Sequence, residues 1–131
     1  MVLVDTSVLI DFFKGKDNIP CRKFHNVLES TIPFGITSQI LQELLQGTKN
    51  INEFNKLKIY LESQQIFHPK DIIESYIQAA RIYFNCRKKG ITIRSTIDCL
   101  IAQIAMENNL SLLHNDSDFD AMARVIQLKL Y

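Results

Sequence analysis

The chain is poor in the residues that crosslink or punctuate a protein: its 131 residues include three cysteines, three prolines and four glycines. Cys21, Cys86 and Cys99 are odd in number and contain no C-x-x-C pair, which excludes a disulfide framework and offers no zinc spacing. The glycines stand apart at positions 15, 35, 47 and 90, so no glycine-rich loop can cradle a phosphate chain. No apolar run approaches the roughly 18–20 residues of a membrane span. The opening MVLVDTSVLIDFF carries Asp5 and Asp11 with no basic lead-in, unlike a signal peptide. The expectation is a cytoplasmic protein with no membrane partner. A charge excess is missing too. Fifteen Lys and Arg against fourteen Asp and Glu leave +1, no overall field to draw in nucleic acid or an anionic surface.

What is present is globular. Apolar residues make up 47% and charged residues 22%, which excludes a mainly disordered chain. The length suits one domain, residues 1–131, with a real core. Short apolar runs alternate with helical patterns. Val2–Val4 reads as a strand, and Asp5-Thr6-Ser7 supplies cap chemistry for Val8–Phe13. Gly15 to Pro20 reads as a loop, Cys21–Ser30 as a helix and Phe34–Ile36 as a strand. Thr37-Ser38 then caps Gln39–Gln46, followed by a helix over Asn50–Ser63 and a minimal strand at Ile66-Phe67. Asp71 heads a long helix that stops at Lys88-Lys89-Gly90, and Ser95-Thr96 caps Ile97–Asn108. Leu110–Leu113 reads as a buried strand, Asp116–Ala123 as a short helix and Val125–Leu130 as a final strand. This alternation predicts an α/β fold, a central parallel sheet of about five short strands with helices on both faces.

In such sheets, ligands bind beyond the carboxyl ends of the strands. Asp5 closes the first strand and Asp116 follows Leu110–Leu113 closely. Glu43 and Asp98 lie about one to two turns inside helices whose N-termini should face the same rim. Each acid also has a plainer reading. Asp5 would cap a helix, and Glu43 sits off the Ile40/Leu41/Leu44/Leu45 stripe where a solvent-facing Glu belongs. Asp98 lies on the margin of the Ile97/Ile101/Ala105 face, where burying an unpaired carboxylate costs several kcal/mol. The D-S-D-F-D run at 116–120 is not an EF-hand, because Ala121 and Gln127 stand where Gly and Glu are needed. A haloacid dehalogenase-type phosphatase would want an acid where Ser7 stands. Clustered carboxylates repel one another, and a divalent cation resolves the conflict. Hard oxygen ligands without a His/Cys set point to Mg²⁺, with Mn²⁺ as a substitute.

Three blocks carry a resemblance: VLVDTSVLIDFFKG, SQILQELLQG and GITIRSTIDCLIAQIAMENNLSLLHNDSDFDAMA. Together, over about residues 2–124, they resemble PIN-domain ribonucleases of the VapC toxin type, from type II toxin–antitoxin systems. The resemblance implies that Asp5, Glu43, Asp98 and Asp116 form the catalytic, metal-binding pocket. It makes Asp118 an additional acid behind them and Thr6 and Ser7 pocket-shaping hydroxyls. The family often has Ser or Thr where this chain has His114, so that residue either contacts phosphate or fills space. The implied reaction is hydrolysis of an RNA phosphodiester by metal-activated water, leaving a 5′-phosphate and a 3′-hydroxyl. Arg94 precedes Asp98 by one turn and either pairs with an acid or holds substrate phosphate; Arg87 and Lys88 are further candidates for the RNA backbone. The resemblance also implies a homodimer and a cognate VapB-type antitoxin, with Phe12, Phe13, Phe54 and Leu57 available to the partner or to the core. Two other classes stay open: a catalytically silent RNA- or partner-binding module, whose signature would be a missing pocket acid, and a structure-specific DNA nuclease of the wider PIN-like superfamily, for whose insertions 131 residues leave little room. With four or five acids gathered in one metal-loaded centre, the remaining surface is basic, and +1 becomes a cancellation rather than an absence of field.

Overall fold

The computed structural model describes residues 1–131. β1 (Val2–Val4), β2 (Phe34–Thr37), β3 (Gln65–Phe67) and β4 (Ser111–Leu113) form one all-parallel sheet in the order β3-β2-β1-β4. β1 is buried along its whole length because it pairs on both sides and is covered on both faces. Gly35 lets β3 approach β2: a Cβ there would sit 2.6 Å from the Gln65 carbonyl oxygen and 2.7 Å from the Phe67 ring.

Strand order dictates the layers. The chain steps from β1 to β2 to β3 in one direction, through α1 (Thr6–Phe13), α2 (Ile19–Glu29), α3 (Ser38–Gln46) and α4 (Ile51–Glu62). It then reverses across the sheet to β4 through α5 (Glu74–Lys88) and α6 (Thr96–Glu107). Right-handed crossovers place the two helix groups on opposite faces. α5 and α6 form an antiparallel pair, with Ser75 at the start of one bonded to Glu107 at the end of the other. The core is continuous, from Phe24, Ile36 and Ile40 on one side of β1 to Ile101, Ile104 and Phe119 on the other. No helix is long and apolar enough to cross a membrane.

Several boundaries differ from the sequence expectation. The sheet has four strands rather than about five. The expected strand at Val125–Leu130 is a turn followed by one bridge, Leu112 to Leu130. Val125 and Ile126 both donate their N–H to the Met122 carbonyl, so the segment leaves α7 (Ser117–Ala123) still curled and aligns with β4 only at its end. The second helix starts before Pro20, capped by Asn18, because proline fits the first turn where its missing N–H is harmless. The long helix begins at Glu74, three residues after Asp71; Asp71 still accepts from the Ile73 and Glu74 amides, at 2.8 and 2.6 Å. Gly90 ends that helix region at φ +76°, as the stop signal requires.

Candidate metal centre

The reversal in strand order falls between β1 and β4, the adjacent strands whose connections leave to opposite faces. A crevice opens at such a point beyond the carboxyl ends of the strands. Asp5 leaves β1 directly into it and caps α1, its Oδ2 accepting from the Ser7 amide (3.0 Å) and the Ser7 hydroxyl (2.6 Å). The capping and the rim readings therefore describe one residue. Asp5 is only 5% exposed, and burial, aided by the negative charge of Glu43, raises its carboxyl above the ordinary range despite the Ser7 bonds.

Glu43 reaches in from α3, where the Thr6 hydroxyl donates to Oε2 at 2.6 Å. Asp98 projects from the first turn of α6. Its carboxyl is pushed up to about 7, first by burial and then by the negative charges of Asp5, Asp116, Glu43 and Asp118. No hydrogen bond offsets either cause. Asp116 caps α7, with Oδ1 accepting the Asp118 amide at 2.9 Å. Carboxylate oxygens of Asp98, Asp116 and Asp118 lie within 4.8 Å of one another. That tightest grouping contains Asp118 rather than Asp5 or Glu43, although Asp5 leads the negative charges that act on Asp98.

Arg94 is the one cation bonded to these acids. Its Nη2 lies 2.8 Å from Asp116 Oδ1, while its Nε (3.1 Å) and backbone N–H (3.0 Å) both donate to Asp118 Oδ2. Of the two roles open to it, the structure shows the pairing with acids. Arg87 and Lys88 make no bond to the pocket; they lie over the Tyr83 and Phe84 rings. The antiparallel α5–α6 pairing nevertheless brings that end of α5 to the rim where Asp98 begins α6. His114 is built into the wall: its Nδ1 accepts the Asp116 amide at 3.1 Å, its Nε2 faces Asp120 at 3.5 Å, and its ring packs on Phe119.

Two contributors escape a reading of the sequence. Asn115 donates its amide to the Ser7 hydroxyl (3.0 Å) and its side chain to Asp11 (3.1 Å), tying the turn after β4 to α1. Asp11 gathers that bond with Asn18 and Lys16, and the Lys16 contact leads in holding its carboxyl below the ordinary range. No local pattern announces either residue; the pairing spans more than 100 residues of chain. Of the aromatic positions offered to a partner or to the core, Phe12 packs edge-on against Phe24 inside. Phe13 and Leu57 line an open groove of about 780 Å³ whose edge includes Glu43, and Phe54 lies outside that groove.

The donor set suits a hard divalent cation. It consists of oxygens, one of which belongs to an acid that burial and four negative neighbours push up and no donor serves. The same fold recurs among known proteins. The PIN domain family model matches residues 2–125. VapC ribonuclease Mb1587 of Mycobacterium bovis is 31% identical over 130 residues, covering 98% of this chain and 96% of that protein. Ribonuclease VapC11 of Mycobacterium tuberculosis matches equally, at 31% over the same extent. Among solved structures, VapBC2 from Rickettsia felis, bound to a promoter DNA fragment, superposes with a TM-score of 0.76 at 22% identity, covering 100% of this chain and 98% of that one. VapBC-1 from nontypeable Haemophilus influenzae gives 0.75 at 18% identity, covering 100% and 97%.

Proposed function

The chain belongs to the PIN-domain family, in its VapC branch, and on that premise we propose that residues 1–131 form a single-domain, Mg²⁺- or Mn²⁺-dependent endoribonuclease acting as the toxin of a type II toxin–antitoxin pair. The observation that carries the reading is Asp98, a half-buried carboxyl ringed by four other acids and served by no donor. Asp98 and Asp116 would hold the cation directly, with Asp5 beside them and Glu43 direct or through water. When bound, a divalent cation supplies charge for the phosphate oxygens and lowers the pKa of attacking water.

The chain's own residues do the positioning. The Ser7 hydroxyl and amide fix Asp5, the Thr6 hydroxyl fixes Glu43, and the Asp118 amide fixes Asp116. Asp98, half protonated near neutral pH when alone, would give up its proton on loading and become the fourth negative wall. Arg94, whose side chain is 70% exposed, lies within reach of a phosphate arriving at Asp116, and Arg87 and Lys88 extend the positive rim. The groove lined by Phe13, Leu57 and Tyr60, ending at Glu43, suits an antitoxin segment, and the exposed Tyr76, Ile77 and Phe84 of α5 suit a second copy.

The test is cleavage of structured RNA in Mn²⁺, with EDTA and Asp98→Asn as controls. Cleavage is expected only with the cation and the intact acid. Cutting that persists in EDTA, or in a folded Asp98→Asn protein, overturns the mechanism. RNA binding without cutting would instead leave the silent module.

A further inference from the structure

One cavity beside the acid pocket has no role in that scheme. It holds about 500 Å³, within the range of small-molecule sites, and shares Asp116 with the acid pocket but includes none of Asp5, Glu43 or Asp98. Its lining brings together Pro20 at the start of α2 and the aromatic Tyr131 with the polar Ser117, Asp120 and Lys23. Two bonds hold the Tyr131 backbone beside it. The Tyr131 N–H donates to the Leu112 carbonyl at 2.9 Å, and Lys23 Nζ donates to the Tyr131 carbonyl at 2.7 Å. Asp120 is coupled to the acids, since it faces His114 Nε2, and His114 Nδ1 accepts the Asp116 amide.

An RNA strand crossing Asp116 must put a neighbouring base somewhere. RNA sequence is read on unpaired bases stacked on aromatic rings and hydrogen-bonded along their edges. This cavity offers both surfaces one residue from Asp116. A carboxylate accepts only. It therefore favours guanine, with adjacent N1–H and N2–H donors, over uracil, whose single N–H lies between two carbonyls.

Resting on the ribonuclease reading, we propose that this cavity is a base subsite: it takes the base of the nucleotide flanking the scissile phosphate, stacked on Tyr131 and selected for guanine by Asp120 with Ser117. The subsite makes Tyr131 and Asp120 specificity residues, distinct from the acids that hold the cation.

The experiment digests a randomised RNA pool with the full chain in Mn²⁺ and sequences the ends. Wild type is expected to show guanine enrichment at one position flanking the cut. Tyr131→Ala should lower cleavage of a guanine-containing substrate about tenfold, through KM rather than kcat, and flatten the enrichment. Tyr131→Phe, which keeps the ring, should restore most of it. Asp120→Asn should shift the preference away from guanine. Circular dichroism and calorimetric Mn²⁺ binding, both expected to match wild type, separate a lost subsite from a damaged fold. Enrichment that survives Tyr131→Ala and Asp120→Asn overturns the proposal, as does a loss uniform across all sequences. A wild-type protein that cuts RNA without positional preference overturns the subsite alone. A wild-type protein that cuts no RNA overturns the ribonuclease reading with it.

Discussion

α6 carries a carboxylate at each end, and the fold treats the two in opposite ways. Glu107, at the end away from the rim, is surrounded by donors: the Ser75 hydroxyl lies 3.1 and 2.9 Å from its two oxygens, the Lys70 amide donates at 2.8 Å and Gln103 at 3.2 Å. Asp98, in the first turn, faces four acids with no donor, and its carboxyl is pushed up to about 7. Glu107 ties the 68–73 segment to the α5–α6 pair, which is structural work. The Asp98 environment opposes its own ionisation, and folding alone does not reward that arrangement. On the proposed function, the acid that the chain leaves unserved is the one matched to the cation.

Exchanging the two roles by mutation should break the contrast most sharply. Asp98→Asn removes one charge from the cluster at nearly constant shape. RNA cleavage should fall by about a thousandfold or more, since the interactions replaced are worth several kcal/mol in the transition state. The melting temperature in EDTA should hold or rise, because a repelling charge is gone; a marked drop would mean that Asp98 is structural after all. Glu107→Ala should do the reverse. It leaves the Ser75 hydroxyl and the Lys70 amide without their acceptor, a loss of about 1–3 kcal/mol measurable by urea denaturation. Cleavage per folded molecule should stay within about twofold of wild type.

The same contrast explains how far the sequence could be read. Asp5 and Asp116 were visible because each sits just beyond a strand, and the carboxyl-end rule needs only strand positions. The apolar margin around Asp98 already marked it as uncomfortable. The Asp118–Arg94 bonds span 24 residues and depend on how the turn before α6 meets α7, so no periodicity reports them. Asn115 and Asp11 are hidden for the same reason, being polar residues whose partners are set by tertiary contact. The missed turn at Val125–Ile126 has another cause. Its alternating apolar pattern is that of a strand, but both amides are claimed by Met122 before a neighbouring strand can take them.

pH sharpens the comparison with a smaller effect. Asp98 titrates near 7 in the fold against an ordinary carboxylate value near 3.8, so the fold favours the protonated form. The cation-free protein therefore loses stability as pH rises from about 4 to about 7, and the loss levels off above that. Solvent reaches half of this group, so the loss should be about 1–2 kcal/mol rather than the full value of the shift. A bound cation removes the opposition. The gain in melting temperature on adding Mn²⁺ should thus be small at pH 5.5, grow through pH 7 and flatten by pH 8. A gain independent of pH would show that the cation does not compete with a proton at Asp98.

The smallest effect concerns Arg94, which belongs to the acid pocket yet serves it as Ser75 serves Glu107. Its guanidinium gives Asp116 and Asp118 the donors that Asp98 lacks, but from an exposed side chain. Exposed pairs contribute about 0–1 kcal/mol, and since only the Arg94 side is exposed while Asp118 is buried, Arg94→Gln should lower stability in EDTA by about 1 kcal/mol. Its charge, however, stands beside the oxygens offered to the cation and repels it. Removing that charge should tighten Mn²⁺ binding severalfold at low ionic strength, by calorimetry, and the gain should shrink toward nothing in high salt. Arg94→Lys keeps the charge and loses the fork, so it should leave Mn²⁺ affinity near wild type. Looser Mn²⁺ binding in Arg94→Gln would give the opposite lesson: the guanidinium would matter chiefly for holding Asp116 in place, and the pocket would depend on internal donors as much as Glu107 does.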